Sequence, residues 1–228
     1  MKKLPLLISA PHGGLAIPPE VSSLCRLSPA EIAADGDEGA AEIYALREAV
    51  TDYVTTPIAR AFVDMNRSPR DRRQDGVVKT HTCWEAPVYR EVLPDETVVT
   101  LLERYYYPYH EALSRAGEEV KLGVDCHTMA AVGPPVGPDP GQPRPAICLS
   151  NADGTCPAEW MDRLVSCFEE AFERPVSVNT PFRGGYIIRA HARERPWVQV
   201  ELSRECFLSH VQKHEKILQS ITSFCQIF

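Results

Sequence analysis

The sequence lacks any apolar run long enough to cross a bilayer, which takes roughly 20 consecutive apolar residues. Its opening, Met1-Lys2-Lys3-Leu4-Pro5-Leu6-Leu7-Ile8, places lysines before an apolar stretch, but Pro11-His12-Gly13-Gly14 interrupts that stretch too early for a secretory leader. The stretch reads instead as a first strand. No two of the eight cysteines form a CxxC pair, so a thiolate zinc knuckle is excluded and reduced thiols in a cytoplasmic protein are expected. Positive charge is in deficit, with 24 Lys and Arg against 31 Asp and Glu. The net charge of −7 argues against a general nucleic-acid binder, which needs a basic face, while leaving room for a local basic pocket. Internal repeats and linkers are also missing. The 228 residues, 44% of them hydrophobic, are enough for one sizeable core, and a single domain over residues 1–228 is expected.

What is present is an alternation of short apolar runs and helical patterns. Leu4–Ser9, Tyr53–Thr56, Ala61–Met65, Leu122–Cys126, Ala146–Ser150, Val176–Val178, Gly185–Arg189 and Val198–Glu201 read as strands. Glu38–Val50, Val98–Gly117, Pro157–Phe172 and Glu205–Phe224 read as helices, and Ser28-Pro29-Ala30-Glu31 as a helix start. The proline- and glycine-rich run from Gly133 to Pro145 must be a loop. This order predicts an α/β fold with helices on both faces of a central sheet. Ligands of such sheets bind beyond the carboxyl ends of the strands, so polar residues just after apolar runs are the candidates for chemistry.

Four places qualify: His12, the pair Asn66-Arg67, His127 and Glu201. A catalytic zinc takes three protein ligands and leaves a position for water. His12 and His127 can supply two, and the acidic run Asp35-Gly36-Asp37-Glu38 offers Asp35, Asp37 or Glu38 as a third. The same run also suits a helix N-terminus. Asp125, two residues before His127, shares its strand face and can orient a ligand. Glu201 shares a face with Gln199. A glutamate in an apolar strand is costly unless paired or functional, so Glu201 reads as a general base or as the partner of Arg204 or Arg189. Arg67 can hold a carboxylate through two parallel hydrogen bonds, and Gly184-Gly185 permits close backbone approach to a ligand. His210 and His214 share a helical face among solvated neighbours and read as surface residues.

The ordered set Ser9-Ala10-Pro11-His12-Gly13-Gly14, Asp64-Met65-Asn66-Arg67, Tyr107-Pro108-Tyr109-His110, Asp125-Cys126-His127-Thr128, Asn179-Thr180-Pro181-Phe182-Arg183-Gly184-Gly185-Tyr186 and Gln199-Val200-Glu201-Leu202 resembles the N-formylglutamate amidohydrolase family. That family is similar to the zinc carboxypeptidases and to the succinylglutamate desuccinylase and aspartoacylase group. The resemblance implies a phosphorylase/hydrolase-like α/β fold with a mixed central sheet flanked by helices, zinc held by His12, an acidic residue and His127, and Glu201 as base. It also implies that Asn66 and Arg67 bind a substrate carboxylate, with Arg183, Gly184, Gly185 and Tyr186 beside them. Carboxypeptidases place the acidic ligand three residues after the first histidine, where this chain has Leu15. The spacing before Ile43-Tyr44 points to Asp37 instead, with Glu38 in reserve.

The expected reaction is zinc-dependent hydrolysis of a small N-acyl amino acid, N-formyl-L-glutamate first among them. Glu201 moves the proton, and an arginine, Arg67, steadies the oxyanion. A carboxypeptidase or another amidase would need a longer, open groove. A binding protein without turnover would have no use for Glu201.

Overall fold

Leu122–Met129 and Trp197–Ser203 are buried at every position. Strands hidden on both faces need covering layers on both sides, and the alternating order supplies them. The computed structural model describes residues 3–228; Met1 and Lys2, where the reading of the N-terminal run began, lie outside the described residues. In chain order the elements are β1 (Leu4–Ala10), α1 (Pro29–Asp35), α2 (Ala40–Ile43), β2 (Val50–Thr55), α3 (Asp95–Leu101), α4 (Tyr107–Ser114), β3 (Leu122–Met129), β4 (Ile147–Ser150), α5 (Ala158–Phe172), β5 (Ser177–Val178), α6 (Tyr186–His191), β6 (Trp197–Ser203) and α7 (His210–Phe224). A π-helical turn, Leu102–Tyr106, joins α3 to α4.

The strands form one mixed sheet in the order β2-β1-β3-β6-β4-β5. Within it β4 pairs antiparallel with β6, and the other pairings are parallel. Residues two apart share a face. Leu6 and Ile8 of β1, Val124 and Cys126 of β3, and Val198 and Val200 of β6 therefore meet the apolar sides of α2, α5 and α7. The alternate residues look the other way, where Leu7 and Trp197 join Ile58–Met65, α4 and α6 in a second core. This second face carries Ser9, Asp125, His127, Gln199 and Glu201. Register sets them side by side: Ser9 is opposite Asp125, Asp125 opposite Gln199, and His127 opposite Glu201.

The helix starts follow their local chemistry. Ser28 and Glu31 form a reciprocal capping box ahead of α1, and Ser209 and Gln212 do the same for α7. The loop from Gly133 to Pro145 holds neither helix nor strand, as its prolines require.

Three readings of the sequence are corrected. Glu38–Val50 is not one helix: only Ala40–Ile43 is helical, and β2 begins at Val50. Ile43, Tyr44 and Leu46 are all buried, and the Tyr44 hydroxyl donates to the His127 carbonyl at 2.7 Å, so tertiary burial overrides helix propensity. Ala61–Met65 is a series of buried turns rather than a strand, with Phe62 N–H donating to Ala59 O and Asp64 N–H to Val77 O. Gly185–Arg189 is not a strand either but the start of α6, whose adjacent Ile187 and Ile188 are both buried. A short apolar run carries too little periodicity to separate these cases.

Gly123 shows how tightly the central strands meet. It lies opposite Trp197, and a Cβ there would fall 2.3 Å from the indole. Gly123→Ala should lower stability by about 1–3 kcal/mol, the range for overpacking a filled core. Urea unfolding followed by tryptophan fluorescence checks this.

Candidate active site

β1 ends in a turn that carries His12, and β3 carries His127 near its carboxyl end. Their rings lie 4.9 Å apart between centroids, and both are buried. Each Nε2 is held by a carboxylate: His12 by Asp64 Oδ1 at 2.9 Å, His127 by Asp125 Oδ2 at 2.8 Å. A carboxylate only accepts, so both Nε2 atoms carry a proton, and Nδ1 is the nitrogen on each ring left to bind a metal. These two Nδ1 atoms are 3.2 Å apart and converge on Asp37 Oδ2, at 3.5 Å from His12 and 3.0 Å from His127.

Asp37, just after α1, is the acidic residue the fold selects. Asp35 points elsewhere, bonded to Lys79 Nζ at 2.8 Å and to the Cys83 amide at 2.8 Å, and Glu38 is exposed. His12, Asp37 and His127 offer donor atoms within 4.8 Å of one another and can hold a metal ion. Tetrahedral zinc, with bonds of 2.0–2.1 Å, sets its ligand atoms roughly 3.3 Å apart, so the spacing suits it. The chemistry suits it too, because histidine ligands ordinarily give their second N–H to a carboxylate.

The carboxylates around the two rings set the electrostatics. Burial alone would lower the His127 pKa, but Asp125 and Asp37 hold it well above the usual histidine range. Burial would raise Asp37, and the His12 and His127 rings pull it well below the carboxylate range. Burial likewise works against Asp64, which His12 and Arg60 keep strongly acidic. The site is thus built to hold positive charge.

Glu201 stands on β6 beside His127. It is buried, and Oε1 accepts from Gln199 Nε2 at 2.8 Å. Burial raises its pKa to about 7, with His127 opposing and Asp37 adding to the rise. No arginine pairs with it among the described residues, so the salt-bridge alternative finds no partner there.

A cavity of about 240 Å³ opens over these groups. Its wall includes Asn66, Arg67, Arg183, Gly184 and Gly185. The Asn66 amide is engaged within the protein: Nδ2 faces Asp125 and His127 at 3.1 Å, and Oδ1 accepts the Ile187 N–H at 2.8 Å. Arg67 sits at the mouth with Nε on the Asp75 carbonyl at 3.2 Å, and Arg183 is exposed beside Asp153 at 3.2 Å. Gly185 must be glycine, since a Cβ would meet the Asn66 amide at 2.3 Å. Tyr186 turns away and packs against His110, with centroids 5.7 Å apart.

Sequence reasoning missed Arg60, Lys79 and Arg144, gave Asp64 no role, and weighed Arg204 only as a partner for Glu201. All but Asp64 line the cavity. Arg60 grips Asp64 at 3.0 Å, and Lys79 is fully buried between Asp35 and Asp64. Arg60 and Lys79 come from turn segments without periodicity. The short apolar run Val77-Val78 just before Lys79 was the one available hint.

Lys79→Met leaves Asp35 buried without its partner and should cost about 3–5 kcal/mol. In wild type, Asp35 is held below its unfolded pKa: burial opposes this, but Lys79 and Arg60 outweigh it. Its contribution is therefore full above the unfolded value and lost as pH falls through the lower folded value. In the variant burial prevails, the folded carboxyl binds its proton more readily, and the stability deficit should shrink from pH 7 toward pH 4. Denaturant unfolding across that range measures it; a deficit independent of pH would contradict this pairing.

No curated protein matches the chain. Among solved structures, N-formylglutamate amidohydrolase from Ralstonia eutropha JMP134 superposes with a TM-score of 0.75 at 22% identity, covering 100% of this chain and 94% of that one. A gene product from Agrobacterium tumefaciens gives 0.75 at 18%, covering 99% and 89%. These likenesses show the fold. Residues 4–208 match the family described as N-formylglutamate amidohydrolase, a span that includes every strand, His12, Asp37, His127 and Glu201, and the chain belongs to that family.

Proposed function

We propose that this chain is a zinc-dependent amidohydrolase that cleaves a small acidic N-acyl amino acid, with N-formyl-L-glutamate giving formate and glutamate. The observation that carries the reading is the convergence of two carboxylate-backed histidine Nδ1 atoms and Asp37 Oδ2 beside a buried, protonatable Glu201.

In this reading His12, Asp37 and His127 hold the zinc. Bound there, zinc would acidify a water and polarise the scissile carbonyl. Glu201 takes the proton from the attacking water and returns it to the leaving amine, as a carboxyl group poised near neutrality can. Gln199 keeps the Glu201 carboxylate turned into the cavity. The C–N bond breaks, water's oxygen ends on the acyl carbon as formate, and both water protons end on the leaving nitrogen, which becomes the ammonium of glutamate.

The cavity supports an anionic substrate. Arg60, Arg67, Lys79, Arg144, Arg183 and Arg204 line it, against Asp37, Asp75 and Glu201. At about 240 Å³ it falls just under the usual ligand-pocket range of roughly 300–1,000 Å³ and suits a small molecule rather than a polymer. Arg67 at the mouth serves the substrate carboxylate or the oxyanion, with Asn66 behind it and Arg183, Gly184 and Gly185 forming the facing wall. Tyr186 acts through its packing on that wall. A reducing, cytoplasmic setting belongs to the same proposal, supported by eight unpaired cysteines. No helix among the described residues is long and apolar enough to cross a membrane.

Glu201→Gln keeps size and hydrogen bonding but removes the base. Zinc content should match wild type while turnover of N-formyl-L-glutamate falls roughly 10²–10⁴-fold. Metal analysis and a rate assay on one preparation suffice; unchanged turnover removes Glu201 from this role.

Arg67→Lys keeps charge but loses the planar two-pronged grip. It should weaken kcat/KM for substrates with a free α-carboxylate and change little for the α-amide. Equal wild-type activity on acid and amide would rule out Arg67 as the carboxylate's partner.

A further inference from the structure

A second cluster of titratable side chains lies where α4 meets α6, and the mechanism above does not use it. His110 Nε2 is 2.9 Å from the Met65 carbonyl, and His110 Nδ1 is 2.9 Å from His191 Nε2. The two rings stack 5.2 Å apart at 11°. Beyond them, His191 Nδ1 lies 3.1 and 3.0 Å from the two oxygens of Glu194, and Ser114 Oγ donates to Glu194 at 2.8 Å.

Proton counting fixes most of this chain. The Met65 carbonyl only accepts, so His110 Nε2 carries a proton. The Glu194 carboxylate only accepts, so His191 Nδ1 carries one as well. A third proton lies between His110 Nδ1 and His191 Nε2. Two rings therefore share three protons and one positive charge, which Glu194 balances. Burial, then the neighbouring His191 ring, pushes His110 down to about 4, so His110 is the neutral ring of the pair. The rings of Tyr106, Tyr109 and Tyr186 surround His110, and Trp197 packs on His191.

The inner end of the chain reaches the residue before Asn66-Arg67. Tyr106 Oη holds the Arg67 carbonyl at 2.7 Å, and the first turn of α6 holds Asn66 through Ile187 N–H. The Met65 carbonyl is the third fixed point of the same segment. We propose that His110 is a positioning residue for the Asn66-Arg67 segment, its tautomer set by His191 and Glu194 so that Nε2–H stays on the Met65 carbonyl. The consequence for substrate binding rests on the role given to Arg67 above.

The test compares wild type, His110→Phe and His110→Gln, with zinc bound. In wild type, ¹⁵N NMR should show His191 protonated at both nitrogens and His110 at Nε2 alone. In His110→Phe, amide hydrogen exchange at Asn66 and Arg67 should accelerate. KM for N-formyl-L-glutamate should rise roughly three- to tenfold, the scale of one lost hydrogen bond. Zinc content should not change, and kcat should stay within about twofold. His110→Gln, whose amide can donate to the same carbonyl, should restore both exchange and KM. The proposal fails if wild-type His110 carries its proton on Nδ1, or if exchange at Asn66 and Arg67 is the same in wild type and His110→Phe. Should the Phe variant not fold, the wild-type protonation pattern and the exchange of the Gln variant decide the matter. Absence of N-formyl-L-glutamate hydrolysis by wild type would count against the proposed function and leave the protonation and exchange results to judge His110.

Discussion

Two buried histidine–carboxylate bonds, His12 to Asp64 and His127 to Asp125, set the terms for the rest of the site. Each fixes a proton on Nε2 and so turns Nδ1 toward the other ring. Without them the two Nδ1 atoms would have no reason to face one another at 3.2 Å beside Asp37. Each carboxylate is itself held. Asp64 accepts from Arg60 and from the Asn66 amide, and Asp125 accepts from Ser9 and Asn66. Buried carboxylates are costly when their lone pairs go unmet, and here Arg60, Asn66 and Ser9 meet them.

The sheet makes this arrangement possible. Parallel register places Ser9, Asp125 and Gln199 in one row and His127 beside Glu201 in the next, all on the face opposite the α2, α5 and α7 core. That face cannot be closed by apolar side chains alone, because its residues are polar. It is closed by turn segments and by α4 and α6, which bring Asp64, Asn66, Tyr109 and Ile187 to meet the strand residues. Gly123 and Gly185 mark the closest approaches, one under Trp197 and the other against Asn66. The site is therefore a seam between a rigid sheet and a layer that local sequence does not specify.

That division explains what was legible in the sequence. Strand-end logic singled out His12, His127 and Glu201, which the fold brings together, and the period of two linked Asp125 to His127 and Gln199 to Glu201. The sheet flanked by helices, the loop from Gly133 to Pro145 and the amphipathic α5 and α7 followed from pattern. The covering layer did not. Ala61–Met65 and Gly185–Arg189 are apolar because they are buried, whatever their backbone form, and Arg60 and Lys79 owe their places to Asp64 and Asp35 rather than to neighbours in sequence. Glu38–Val50 failed for the same reason, since Tyr44 and Leu46 answer to the core and to the His127 carbonyl.

Under the proposed function, the carboxylate-backed histidines offer Nδ1 to a metal. A crystal structure of the protein loaded with zinc, with the ion located by its anomalous scattering, tests this most directly. The predicted result is one zinc bonded to Nδ1 of His12, Nδ1 of His127 and a carboxylate oxygen of Asp37, with Asp64 and Asp125 still on the two Nε2 atoms. Zinc bound through either Nε2, or at a place that leaves out these three residues, would contradict it.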